Sequence, residues 1–320
     1  MFIKFCMSTT SRCTTNILSS QGDKSRSISP LLLSPPPMEF YPWYPPQVHT
    51  EPQPASTFTI ETLWEVLGLS SFEGLDIECV RRLRSQVGSR DLSQIDSLLD
   101  ASRLRSWLPT SHSRGLLIQG DSSQRAQVSA LSHFCVALHC HLSEVRPDII
   151  LLVFVCGRHT ERTEKGARAE AIIRSFVSQL ITKSPQARQA ALAVSDAALQ
   201  LLRHSNPLDW FCSFFWHVAS SLPPETMVFC IIDGIGFYER DATWVGMRNL
   251  LSTLLAPQET HTGVSVVKVL ATSAWATRAV KHLFRGHHIL QTRSSAERLD
   301  VGGVMRKLER QLREFFGEGD

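Results

Sequence analysis

The sequence contains no apolar run approaching the roughly 20 residues that a membrane-crossing helix needs. Its longest apolar stretch, DIILLVFVCG at 148–157, has the length of a buried strand, so no membrane span is expected. Charge of one sign is also missing: 33 basic residues stand against 30 acidic ones, a formal net charge of +3. A surface that holds phosphodiesters needs locally concentrated positive charge, so no nucleic-acid partner is expected. Arg81-Arg82-Leu83-Arg84 reads instead as a solvated helix face. There is no paired-cysteine framework. Several of the eight cysteines lie inside apolar runs, Cys156 and Cys230 among them. Cysteine there behaves as a small hydrophobe, which predicts a reducing, cytoplasmic setting. A nucleophile elbow of the G-x-S-x-G type is absent as well, which removes the usual signature of a serine hydrolase.

What is present falls into three stretches. Residues 1–56 carry Pro35-Pro36-Pro37 and the run YPWYPPQ, and proline fixes φ and removes donors, so this stretch is expected to be a disordered Pro/Ser-rich tail. Its first 35 residues carry Lys4, Arg12, Lys24 and Arg26 against Asp23 alone. That balance gives a second reading, a mitochondrial leader. Met7 and Met38 are alternative starts. Tyr41, Trp43 and Tyr44 among the prolines are linker residues or a docking peptide. Residues 57–111 show helical periodicity, with Ile60, Leu63, Trp64 and Leu67 on one face, and predict a helical prelude. From 112 to 320 short apolar runs alternate with helical segments. The runs at 115–120, 148–157, 227–234 and 264–273, with HHILQT as a short fifth, predict a three-layer α/β domain with a parallel sheet. RAQVSALSHFCVALHCHLS at 125–143 is read as one helix, and the closing helix as interrupted near Gly302-Gly303.

The chemistry-bearing residues cluster where such strands end. Gly120 closes the first strand just before a helix, the place where α/β proteins hold phosphate. Laid on the template G-x-x-x-x-G-K-[ST], the chain places Arg125 on the second glycine, Ala126 on the lysine and Gln127 on the hydroxyl residue. The lysine that reaches the phosphates and the hydroxyl that holds magnesium are therefore both missing. Asp121, Ser122, Ser123 and Arg125 remain as polar candidates, and Asp121 and Ser122 serve equally well as helix caps. Asp233 ends the strand MVFCIIDG at the position of a Walker B metal ligand, yet Gly236 and Phe237 stand where a second acid is expected, and Glu239 is further on. Asp233 beside Gly234 is also an ordinary turn residue. Thr272-Ser273 end the strand VVKVLATS at the same edge, with Arg278 beyond.

In this order GLLIQGDSSQ, IILLVFVCGRHTE, FCIIDGIGFYE and VLATSAWATR resemble the nucleotide-binding core of fungal NACHT-like, STAND-class P-loop NTPases over roughly residues 100–290. The resemblance implies a five-stranded parallel sheet in the order 5-1-4-3-2. It also implies ATP or GTP binding and a switching role in incompatibility, defence or signalling, between an effector domain and a winged helix with repeats. With the chain running only to Asp320, no repeat sensor is expected. The missing lysine and acidic pair make the core degenerate, a pseudo-ATPase.

Two further groupings carry potential metal or thiol chemistry. His133, Cys135, His139, Cys140 and His141 share one helix, and Cys135/His139 have a zinc-compatible spacing, but a structural site needs four ligands and a core-facing Cys135 is the alternative. Cys156-Gly157-Arg158-His159 follows a strand; Cys156 is expected in the core with Arg158 and His159 solvated. Three functional readings follow. The first is a non-catalytic regulatory or protein-interaction module with no resident cofactor. The second is a weak Mg-ATP or Mg-GTP binding switch in which Asp233 holds the metal. The third is an unrelated α/β enzyme.

Overall fold

The computed structural model describes residues 59–68, 72–86, 88–110, 115–122, 126–160, 169–195, 199, 206–239, 243–256, 265–284, 288–292 and 301–316. The tail at 1–56, with its leader and docking-peptide readings, lies outside them, as do Ser123 and Arg125.

Five parallel strands form one sheet: β1 (Gly115–Gln119), β2 (Ile149–Val155), β3 (Met227–Asp233), β4 (Val266–Ser273) and β5 (Ile289–Gln291). Their order is β2-β3-β4-β1-β5, the 5-1-4-3-2 order read from the other side. The strands are continuous apolar runs because both faces are covered. Side chains alternate between faces. Leu152, Phe154, Cys230, Ile232, Val269 and Ala271 pack with α6 (Ala169–Lys183), α8 (Pro207–Ser220) and α9 (Thr243–Leu254). Leu151, Val153, Phe229, Ile231 and Leu270 pack on the other side. There they meet α3 (Ser89–Leu99), α4 (Ser102–Trp107), α5 (Ala130–Val145) and α10 (Val301–Phe316). The remaining helices are α1 (Ile60–Leu67), α2 (Glu73–Arg82) and α7 (Pro185–Leu192).

Several sequence expectations need correction. The helix expected over 125–143 begins at Ala130. Ser129 is its cap: the Ser129 hydroxyl accepts from the Ser132 N–H and the Ser132 hydroxyl from the Ser129 N–H, a reciprocal box that stops the helix from extending backwards. The closing helix is described over Val301–Phe316, with Gly302 and Gly303 in its first turn; the stretch before Val301 lies outside the described residues. His159 is not solvated. It is buried, and its Nε2 pairs with Asp76 at 3.0 Å.

The helices of the 57–111 stretch are tied to the sheet through buried polar groups. Lys268, in the middle of an apolar strand, has no exposed surface. Its ammonium donates to the carbonyls of Trp107, Leu108 and Thr110 at 2.7, 2.8 and 2.9 Å and lies 4.5 Å from the Trp107 ring centre. Carbonyls at a helix C-terminus lack intrahelical donors and carry partial negative charge, so this cation caps α4 from inside the core.

The outer margin of β2 is closed by side chains. The Gln179 carboxamide accepts from the Val153 N–H and donates to the Val153 carbonyl, both at 2.9 Å, as a neighbouring strand would. Lys183 donates to the Leu151 carbonyl, and Asp76 accepts from the Val155 N–H at 3.2 Å. An exposed strand margin invites pairing with another chain; here α6 and α2 occupy it.

Candidate functional site

The candidate residues Gly120, Asp121, Ser122, Asp233, Thr272 and Ser273 all lie at the carboxyl edge of the central strands. Register explains why: Ser273 is level with Gln119, and Asp233 with Val155. The sequence therefore locates the edge correctly, and the contacts show how that edge is used.

The loop after β1 follows β4 closely. The Gly120 N–H donates to the Ser273 carbonyl at 2.8 Å, and the Ser122 N–H to the Ala274 carbonyl at 2.9 Å. Asp121 accepts from the Gln94 carboxamide of α3 at 2.6 Å. The α5 N-terminus comes ten residues after Gly120, whereas the phosphate-loop template starts its helix about five or six residues after the first glycine. Between them the chain crosses the end of β2. A Cβ on Gly157 would lie 2.0 Å from the Gln127 carbonyl oxygen and 2.9 Å from the Phe237 ring. Only glycine permits that approach.

Asp233 is 2% exposed and faces inward. Thr272 donates its hydroxyl to the carboxylate at 2.5 Å and accepts from the Gly234 N–H at 3.3 Å. Ser132, already part of the α5 cap, lies near enough for its hydroxyl to favour the carboxylate. Burial pushes the Asp233 carboxyl up to about 6, against the pull of the Ser132 and Thr272 hydroxyls, and nearby Asp76 adds to the rise. Cys135 and Cys156 sit in the same buried patch, and burial drives both thiols well above their ordinary range. Such thiols are poor nucleophiles and poor metal ligands. Within the zinc-compatible grouping His139 pairs with Glu73 at 2.9 Å, and among the described residues no cluster of three or more metal-ligating side chains occurs.

The short helical turn Ile235–Tyr238 lies over Ser273. A Cβ on Gly236 would meet the Ser273 hydroxyl at 2.4 Å and the Trp275 indole nitrogen at 2.8 Å. Ser273 is fully buried there, and Phe237 packs edge-on against Trp275, with ring centres 4.9 Å apart. Glu239 does not approach Asp233. Its carboxylate accepts from the N–H groups of Arg278, Ala279 and Val280 at 3.0, 2.8 and 3.2 Å. The stretch around Arg278 is a series of bends rather than a helical turn, and the Arg278 side chain is exposed.

Three participants escaped the sequence reading. Gln119 is buried at the end of β1 and donates to the Thr277 hydroxyl at 2.6 Å. Asp76 joins the edge from α2. Ser132, at the start of α5, adds its hydroxyl to the surroundings of Asp233. None follows from local pattern, because each partner is distant in sequence; the one available signal was the S-x-x-S spacing of Ser129 and Ser132.

A family model described as nephrocystin 3, N-terminal, matches residues 94–274. No curated protein matches the chain. The match covers more than half of the sequence, from α3 through β4 and just beyond it, and the chain belongs to the nephrocystin 3 N-terminal family.

Proposed function

From that membership and the occupied sheet edge, we propose that this chain is a non-catalytic regulatory or protein-interaction module, built on a degenerate core of the NACHT or STAND type. The observation that carries the reading is the use of the phosphate end by the protein itself. Phosphate loops work through backbone N–H groups aimed at the ligand and a helix N-terminus behind them. The Gly120 and Ser122 amides instead serve the carbonyls of Ser273, at the end of β4, and of Ala274 just after it. The Gln127 carbonyl is pressed against Gly157, and the α5 terminus is capped by its own serines. Asp233, the one carboxylate at the Walker B position, is buried and bonded by the Thr272 hydroxyl. To bind a magnesium–nucleotide here, Asp233 would have to give up its Thr272 hydroxyl partner, and the phosphates would have to be placed beside the Gln127 carbonyl oxygen.

The test is a thermal-shift measurement on the full chain with millimolar Mg-ATP, Mg-GTP or no nucleotide. A ligand at 100 times its Kd adds about 2.7 kcal/mol to the folded state. No shift with either nucleotide is the expected result. A magnesium-dependent rise abolished by Asp233→Asn would replace this reading with a nucleotide-binding switch.

A further inference from the structure

The two margins of the sheet are finished differently. At the β5 margin the Thr292 N–H donates to the Gln119 carbonyl at 2.8 Å. In a parallel pair, alternate residues face the neighbour, so this bond turns the backbone groups of Ile289 and Gln291 away from β1. Arg103 reaches the outward Ile289 carbonyl at 2.9 Å. Gln291 is exposed, and no described residue bonds its outward N–H or carbonyl. An open cleft of about 570 Å³ runs along this margin, lined by Ala101, Ser102, Arg103, Lys281, Ile289 and Gln291 among others. The charged side chains in that lining are both cations, Arg103 and Lys281; both are exposed, and neither forms an ion pair with a described carboxylate. The contrast with β2 is physical: there a carboxamide, a carboxylate and an ammonium from helices meet the outward backbone groups.

We propose that the β5 margin is the docking site for an extended, acidic segment of a partner protein. The segment adds as a sixth strand beside β5, hydrogen-bonds the Gln291 backbone and sets carboxylates against Arg103 and Lys281. Strand addition of this kind takes affinity from main-chain hydrogen bonds and selectivity from alternate side chains. Charge complementarity selects this occupant over a second copy of the chain, because two β5 margins brought together by a twofold axis would oppose Arg103 and Lys281 with themselves. The proposal rests on the reading of the chain as an interaction module, though not on the state of the loop after Gly120.

The experiment is fluorescence anisotropy of the full chain with two labelled, end-blocked octapeptides, one alternating Val and Glu, the other alternating Val and Lys. Hydrogen exchange at Gln291 is followed in parallel. The expected result is binding of the Glu peptide at least about ten-fold tighter than the Lys peptide, with slowed exchange at Gln291. Lys281→Glu, an exposed change that leaves the Arg103 contact in place, is expected to weaken binding by about ten-fold, and a central proline in the peptide to abolish it. Equal binding of both peptides, or indifference to Lys281→Glu, overturns the proposal. So does a sedimenting dimer that Lys281→Glu alters. The nucleotide thermal shift on the same sample separates the two readings: loss of peptide binding with no nucleotide shift defeats the docking site alone, whereas a magnesium-dependent shift defeats the non-catalytic reading.

Discussion

Asp233 and Lys268 are both charged-type side chains buried within the sheet, on adjacent strands, and the protein treats them in opposite ways. Lys268 meets three carbonyl oxygens and an aromatic face. Every one of those groups favours the cation. Asp233 meets hydroxyls that favour its charge, but burial, with nearby Asp76, outweighs them, so its carboxyl is pushed up to about 6. The lysine end is fastened by its charge. The aspartate end holds an acid that resists ionising, in the place where the sequence alone suggests a metal ligand. A fully buried charge is thus no guide to function until its partners are counted.

The sharpest way to break this comparison is Lys268→Ala. It opens a cavity and leaves the Leu108 and Thr110 carbonyls without the ammonium donor, so a loss of about 4 kcal/mol is expected in urea unfolding. Lys268→Met keeps the volume and should recover only part of that loss; full recovery would mean that packing, not capping, is the role of Lys268.

At the other end, Asp233→Asn should stabilise the fold at alkaline pH. The raised carboxyl favours folding below its ordinary value of 3.8, and that contribution is lost as pH rises through about 6. The interval corresponds to at most about 3 kcal/mol. The gain of the variant over the parent should therefore be greatest near pH 8 and vanish near pH 4. A gain that does not change with pH would show that Asp233 is not the titrating group.

Two smaller changes sharpen the same end. Gly157→Ala places a methyl group against the Gln127 carbonyl and should cost about 2 kcal/mol, since backbone must move to admit it. A neutral result would mean that the crossing at Gly157 is loose enough to open. Gln94→Ala removes the hydrogen bond to Asp121 and should cost about 1 kcal/mol in thermal unfolding. A larger loss would make the Asp121 contact a principal fastening of the loop.

How far the sequence could be read follows from the range of each interaction. The strands were legible because DIILLVFVCG, MVFCIIDG and VVKVLATS are continuous apolar runs, which only a sheet covered on both faces produces. The strand order came from resemblance rather than from periodicity, and the observed order agrees with it. The α5 start was misplaced because the capping box uses Ser132 where the familiar signal is Glu or Gln. The pairing of Asp76 with His159 spans 83 positions and leaves no local trace. Lys268 did leave one: a lysine between valines in a covered strand must find acceptors, although the sequence does not say that they end a helix. At the site, the residues at the strand ends were identifiable, whereas their inward use by Thr272, Ser132 and Gln127 depends on three-dimensional closeness that no spacing encodes.

The imitation of a strand by the Gln179 side chain has a consequence for stoichiometry. Growth by strand addition becomes a polymer only when every unit offers two free margins, because each added chain must expose a fresh one in the same direction. Here one margin ends in a carboxamide that cannot be extended. Strand addition to this sheet is therefore self-terminating: a segment added beside β5 is not passed on, because Gln179 and its two charged neighbours, Lys183 and Asp76, already fill the row at the opposite margin.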